Sequence, residues 1–272
     1  MACCFAAIYD GHNGAWAAQH ASERLHQVLA SQAAVSDVAT AASDRKTMNP
    51  TEKSAVIDAF HHSFKIVEEE IIQMTMDRRQ QDGATALVSM VLGGHLFIAN
   101  IGDSRAVIAR RKQKLLRLSI DHKPDLPAEK ERIETAGGKV VFSGCWRVAH
   151  DQVPLRLAVS RSFGDHRLKS NLPESCKAPL VSAEPFVHVH KLNPEDQFVI
   201  LASDGVWDRL SDDEAVAVVR TEMLKWRPVE HLVGTWKPTD QAVKAAADKL
   251  IEVALRKKTY DNATAIVMAF DW

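Results

Sequence analysis

Three aspartates stand at the ends of apolar runs that read as buried strands. Asp10 closes Ala6-Ala7-Ile8-Tyr9 and is followed by Gly11 and His12. Asp204 closes the run Phe198 to Ser203 and precedes Gly205, while Asp261-Asn262 stands immediately before the run Ala263 to Phe270. An apolar run broken by Asp-Gly predicts a strand entering a tight turn, and a carboxylate on such a lip is carried by a rigid element. Taken singly, each Asp-Gly is also a common turn. Together, the three could converge on one hard cation. The donors are oxygens with no Cys/His cluster beside them, which suits Mg²⁺ or Mn²⁺ better than structural zinc. A centre of that kind lowers the pKa of a bound water and orients it in line with a phosphorus atom. His12, two residues beyond Asp10, could then protonate a leaving alkoxide, or it is an ordinary turn histidine. Asp103, in Gly102-Asp103-Ser104, reads first as a turn residue and second as a metal contact.

The elements that must carry these residues follow from periodicity. A helix is expected from Ala15 to Leu29, with Ala17, Ala21, Leu25 and Val28 on one side. Ser31 to Asn49 reads as a polar connection. Asn49, Pro50 and Glu52 then form a helix start, and Val56, Phe60, Phe64, Val67, Ile71 and Met74 continue as an amphipathic stripe. Ala84 to Leu92, His95 to Ile101 and Arg105 to Arg110 are separated by glycine turns and predict an antiparallel meander. Asp125 to Thr135 predicts a helix stopped by Gly137-Gly138, and Val140 to Phe142 and Leu155 to Val159 predict short strands. Ser160 to Ala178 mixes Arg161, Asp165, His166, Arg167 and Lys169; it either steers a phosphorylated ligand or is a solvated loop. Ser211 with Glu214 is a capping box ahead of a helix through Arg220. Lys225 to Lys237 reads as a loop, and a last helix spans Thr239 to Arg256.

Composition narrows the function. The 272 residues carry 34 Lys+Arg against 35 Asp+Glu, so phosphate neutralisation along a nucleic acid is not expected. The four cysteines, Cys3, Cys4, Cys145 and Cys176, form neither a dense disulfide pattern nor a paired zinc signature, and an intracellular setting is expected. No apolar segment approaches ~18 residues, so neither a membrane span nor membrane association is expected. The first residues lack a basic leader, so no signal peptide is expected. There is no Gly-x-x-x-x-Gly-Lys-Ser/Thr loop. The residues six positions after the cysteines are Tyr9, Asp10, Asp151 and Ser182, not the arginine of a cysteine-nucleophile phosphatase. Ser104 and Ser162 lack a nucleophile elbow.

A series of short words then runs in order along nearly the whole chain. They are Tyr9-Asp10-Gly11-His12-Asn13-Gly14, Asp82-Gly83-Ala84-Thr85-Ala86, Ala99-Asn100-Ile101-Gly102-Asp103-Ser104-Arg105-Ala106 and Asp121-His122-Lys123-Pro124. Arg132 to Gly138, Leu157 to Asp165, Ala202 to Asp208 and Asp261-Asn262-Ala263-Thr264 complete the set. In this order the sequence resembles the metal-dependent protein Ser/Thr phosphatases of the PPM, or PP2C, family. The resemblance implies an α+β fold, an α-β-β-α sandwich of two antiparallel sheets flanked by helices. It is expected as one domain over residues 1–272, with a variable flap region at 166–195. It implies hydrolysis of phosphoserine and phosphothreonine in proteins by a metal-activated water, without a covalent phosphoenzyme.

By resemblance, Asp10 bridges two Mg²⁺ or Mn²⁺ ions, the Gly11 carbonyl binds the second, and Asp204 and Asp261 complete the first. Asp103 and Asp208 match a weaker third site, and His12 matches the general acid. The family carries a segment containing Arg-x-x-Met-Glu-Asp ahead of its Asp-Gly-His strand, whereas only Met1-Ala2-Cys3-Cys4 precedes Phe5 here. An N-terminally shortened domain is therefore expected, with the second metal site weakened and turnover impaired. The alternative is a weak or inactive phosphatase-fold protein that binds a phosphoprotein or signalling partner. Phosphorylated proteins are the expected substrates, the chain is expected to be a monomer, and its compartment is expected to be cytoplasm, nucleus or both.

Overall fold

Alternating apolar residues and side-chain caps set the elements that carry the site. A computed structural model describes residues 3–41, 48–112, 114–227 and 237–270. Two compact units are distinguished within the span expected to be one domain: Met1–Asp103 with Ile120–Val189, and Ser104–Ser119 with His190–Trp272. Strands and helices carry numbers in chain order across both units.

The first unit begins with β1 (Cys4–Ile8), β2 (Gly11–His12), α1 (Trp16–Ser31), α2 (Ala33–Ala41) and α3 (Pro50–Asp77). It continues with β3 (Gly83–Ala84), β4 (Ala86–Leu92) and β5 (His95–Ile101). After an excursion into the second unit come α4 (Pro127–Thr135), β8 (Lys139–Ser143), β9 (Cys145–His150), β10 (Val153–Leu157), β11 (Phe163–Gly164) and β12 (Phe186–Lys191), whose last two residues belong to the second unit. The main sheet has the order β1-β4-β5-β12, with β1, β4 and β5 antiparallel. Residues at every second position of β4 and β5 (Val88, Met90 and Leu92; Phe97, Ala99 and Ile101) share one buried cluster with the inward faces of α1 and α3. Phe60 stacks on Phe97 with ring centroids 6.0 Å apart, so the α3 stripe predicted from spacing is the seam of this layer. Asn49 and Glu52 make the expected reciprocal cap, each side chain bonding the other's backbone N–H. That cap contributes roughly 1 kcal/mol to the helix.

The second unit holds β6 (Arg105–Arg110), β7 (Leu115–Arg117), β13 (Asp196–Ala202) and β14 (Ala265–Ala269), with α5 (Asp204–Trp207), α6 (Asp212–Lys225) and α7 (Asp240–Arg256). Its antiparallel sheet runs β14-β13-β6-β7. Phe198, Ile200, Val107 and Val267 pack with Val216 and Val219 of α6 and Ala246 and Leu250 of α7. Antiparallel sheets flanked by helices are therefore observed, as the α+β reading expects.

Several expectations need correction. Ser31 to Asn49 is not a polar connection throughout. Residues 33–41 form α2, because Val35 and Val38 recur at three-residue spacing and bury against the α3 layer; residues 42–47 lie outside the described residues. The three runs from Ala84 to Arg110 do not form one meander. β4 and β5 pair with each other, but β6 pairs with β13 and β7 in the other unit. The break falls at Gly102, whose φ of 94° turns the chain where an added Cβ would come within 3.0 Å of Thr85. Strand β9 was not anticipated; it pairs with β8 and β10 in a small separate sheet. Lys225 to Lys237 begins as the last residue of α6, and residues 228–236 lie outside the described residues. Among the described residues no helix is long and apolar enough to cross a membrane.

His122 sits in the first unit, buried, where its backbone N–H donates to the Gly102 carbonyl at 2.9 Å. Burial, with Arg161 nearby, holds the imidazole down to about 4. The unfolded ring titrates near 6.5, so between those values the unfolded chain binds the extra proton and stability falls as pH falls. The unfolding free energy from urea titrations read by tryptophan fluorescence should therefore drop on acidification through this window, by about 1 kcal/mol per pH unit. His122→Asn should flatten that slope, and an unchanged slope would remove His122 as its source.

Candidate active site

Three sequence words far apart along the chain are brought side by side by a three-stranded sheet of order β11-β3-β2. Gly11 pairs with Ala84 and His12 with Gly83; on the other side Ala84 pairs with Phe163 and Gly83 with Gly164. The words Asp10-Gly11-His12, Asp82-Gly83-Ala84 and Phe163-Gly164-Asp165 thus lie in register across one small surface of the first unit. Asp10 is fixed from the same side. Its carbonyl accepts from Thr85 N–H at 2.9 Å, and its own N–H donates to the Thr85 hydroxyl at 3.3 Å.

Across the middle glycine, His12 Nε2 meets Asp165 Oδ2 at 2.7 Å. A carboxylate only accepts here, so Nε2 carries the proton. Asp165 is completely buried, and the same oxygen accepts from the Ser162 hydroxyl at 2.6 Å. Its other oxygen, Oδ1, is buried without a hydrogen-bond partner. Gly83 is required beneath the pair: a Cβ there would come within 3.0 Å of both the Asp165 carboxylate and His12 Nε2. Burial opposes the charged imidazole, but the bond and charge of Asp165, with Asp103 and Asp10 nearby, outweigh it and raise the His12 pKa above its ordinary value.

Asp103 lies in the same unit, buried, with the Lys123 ammonium on its Oδ2. Asp82 has a different task. Ala15, at the N-cap of helix α1, has no polar side chain to cap it, and the Asp82 carboxylate supplies a cap by accepting from Trp16 N–H at 3.0 Å. Gly14 is left bare for it, since a Cβ there would run into the Asp82 carboxylate.

In the second unit, Asp204 is the first residue of α5, immediately after β13. The Ser203 hydroxyl donates to the Asn262 carbonyl at 3.2 Å and accepts from Thr264 N–H at 3.1 Å, while Ser203 N–H donates to Thr264 O at 3.0 Å. Gly205 permits this approach, as a Cβ would meet Asn262 O. The stretches bearing Asp204 and Asp261 are therefore stitched together. Asp208 follows one turn on, its N–H bonded to Asp204 O at 2.8 Å. Trp207 anchors the turn: its indole N–H donates to Ala202 O at 2.8 Å, and the Arg105 guanidinium lies 5.1 Å from the ring centroid.

The predicted residues thus fall into two sets: Asp10, Gly11, His12 and Asp103 in the first unit, and Asp204, Asp208 and Asp261 in the second. Among the described residues no group of three or more His, Cys, Asp or Glu side chains is gathered as a metal site. The donors on offer are nonetheless carboxylates and one backbone carbonyl, a hard oxygen set that fits Mg²⁺ or Mn²⁺.

The family model described as protein phosphatase 2C matches residues 2–263. The chain belongs to the protein phosphatase 2C family. It is 36% identical over 263 residues to probable protein phosphatase 2C 69 of Arabidopsis thaliana, covering 97% of this chain and 60% of that protein. Probable protein phosphatase 2C 7 of Oryza sativa subsp. japonica is 33% identical over 263 residues, with 97% and 56% covered. The chain spans less than two thirds of the length of either relative. Among solved structures, a serine-threonine phosphatase 2C from Toxoplasma gondii superposes with a TM-score of 0.80 at 24% identity, covering 99% of this chain and 85% of that one. A C. elegans sex determining protein gives 0.73 at 19% identity over 98% and 56%. These likenesses establish the phosphatase 2C fold. Members of the family are in general Mg²⁺- or Mn²⁺-dependent.

Asp165 and Gly83 are the site residues that sequence reasoning did not single out. Both stood inside phosphatase 2C words, and no local spacing signals a pair 153 positions apart. Gly83→Ala should part His12 from Asp165. The low-field proton resonance of a carboxylate-bonded His12 Nε2–H is the readout; its persistence in the folded variant would show that the glycine is not needed for the pair.

Proposed function

We propose that the chain hydrolyses phosphoserine and phosphothreonine in protein substrates, with two Mg²⁺ or Mn²⁺ ions at its centre. The observation that carries this reading is the His12–Asp165 pair, which holds an oriented imidazole two residues from Asp10. The residues offered to the cations are Asp10 and the Gly11 carbonyl, with Asp204 and Asp261. Asp103 and Asp208 are offered to a weaker third ion. When bound, the cations supply Lewis acidity that activates water and offsets phosphate charge.

The protein's own part is the proton and its placement. Asp165 holds the Nε2 proton and lowers the cost of charge on the ring, leaving Nδ1 to donate to the departing serine or threonine oxygen. The Asp165 bond and charge favour the charged ring, which suits the imidazole to giving a proton rather than taking one. Thr85 fixes the Asp10 backbone through two bonds, so the carboxylate and the imidazole are set relative to one another by a single strand register.

A second reading is a phosphatase-fold protein that binds a phosphoprotein or signalling partner with little turnover. It is favoured by the Lys123 ammonium already seated on Asp103.

Release of phosphate from a phosphothreonine peptide, titrated with Mn²⁺, separates the two. Turnover should depend on Mn²⁺, vanish in Asp204→Ala, and fall by about 100-fold or more in His12→Asn, as expected for loss of a general acid. Folded protein that binds Mn²⁺ without turnover would select the second reading.

A further inference from the structure

We propose that Glu68, on α3, is a positioning residue: it clamps the bend at 162–165 from which Asp165 reaches His12. The inference rests on His12 acting as read above, but its geometry stands apart from turnover. Gly164 and Asp165 are consecutive left-handed residues, with φ of 70° and 52°. For a non-glycine residue such as Asp165 that backbone persists only where the surroundings impose it.

Two partners impose it. Asp165 N–H donates to Asp82 O at 3.1 Å, and Gly164 N–H donates to Glu68 Oε2 at 2.9 Å. Glu68 Oε1 takes the Lys169 ammonium, and that same ammonium donates to Ser162 O at 2.6 Å. Ser162 in turn gives its hydroxyl to Asp165 Oδ2. One carboxylate therefore ties both sides of the bend, directly at Gly164 and through Lys169 at Ser162. Phe64, one turn earlier on α3, seats Phe163 of the same bend at 5.2 Å between ring centroids.

The clamp is enclosed: the side chains of Glu68 and Lys169 are 14% and 7% exposed. Burial pushes the Glu68 carboxyl above its ordinary value, against the pull of Lys169 and the Gly164 N–H. A glutamate held at such a cost adds little stability over an apolar pair. Its two oxygens supply two aimed acceptors, which an apolar residue of the same size cannot.

Glu68→Gln keeps the size and leaves one acceptor for two donors, so the bend should lose one tie. In the folded variant the low-field His12 Nε2–H resonance should weaken or vanish, and kcat for a phosphothreonine peptide with Mn²⁺ should fall about tenfold with KM held, or ~1.4 kcal/mol. Glu70→Gln, on the same helix but bonded to Arg24 and His20, should change neither readout. If Glu68→Gln does not fold, Lys169→Met frees the same bend from its other end and should shift the same two signals. An unchanged resonance with unchanged kcat per folded molecule would overturn the proposal and leave Glu68 a packing residue. A lost resonance in a chain whose wild type shows no turnover would uphold the clamp and overturn the catalytic reading instead.

Discussion

The hydrogen bond between His12 and Asp165 is the constraint to which the first unit is shaped. It joins positions 153 residues apart at 2.7 Å, over a glycine whose missing side chain makes room for both partners. Side chains in a strand alternate faces, so a slip of one residue between β2 and β3 would turn His12 away from the carboxylate. Register here is fixed by backbone rather than by side-chain packing. Two-residue strands carry few ladder bonds, and the two hydrogen bonds between Asp10 and Thr85 lock the pairing just outside them. The layer of α1 and α3 supports the arrangement from below: α3 brings Phe64 and Glu68 to the bend, and α1 starts beside Asp82, whose carbonyl also holds Asp165.

What could be read from the sequence was whatever repeats or closes locally. The α3 stripe, the Asn49 and Ser211 capping boxes and the strand ends at Asp10 and Asp204 all arise within a few residues of one another, and all are present. Long-range partners left no such trace. Helix α1 has no local cap because its cap is Asp82, 66 residues away. Strand β6 follows β5 after a short turn and still pairs elsewhere, since Gly102 allows a backbone direction that composition alone does not disclose. Asp165 reads as one charge among several in a polar stretch, yet it is fully buried while Arg161, His166 and Arg167 beside it are not. Helix α2 was missed for a different reason: its alanines and threonine read as polar connection, and only Val35 and Val38 show its inward face.

Charges inside the first unit follow one pattern. Glu68 is met by Lys169, Asp165 by His12, Asp103 by Lys123, and Glu129 by Arg161 at 2.6 Å and Arg132 at 3.1 Å. Arg132 and Arg161 then reach on to carbonyls at Ser160 and Glu184, so Glu129 on α4 organises both sides of the stretch leading to β11. The two guanidinium groups outweigh burial and hold the Glu129 carboxyl down at about 2.

Burying such pairs gains little over apolar packing, whereas breaking one leaves a charge without a partner. Their physical effect is therefore directional. An apolar core tolerates small shifts of one side chain past another, but a fork of guanidinium donors on a carboxylate admits few geometries. The segment from Ser160 to Lys169 has few core-forming residues of its own, and its path is set at each end by such a fork or clamp. A short bend that must present one carboxylate to one imidazole is better fixed by aimed hydrogen bonds than by packing. That requirement accounts for the concentration of costly buried ions on a segment with so little apolar surface.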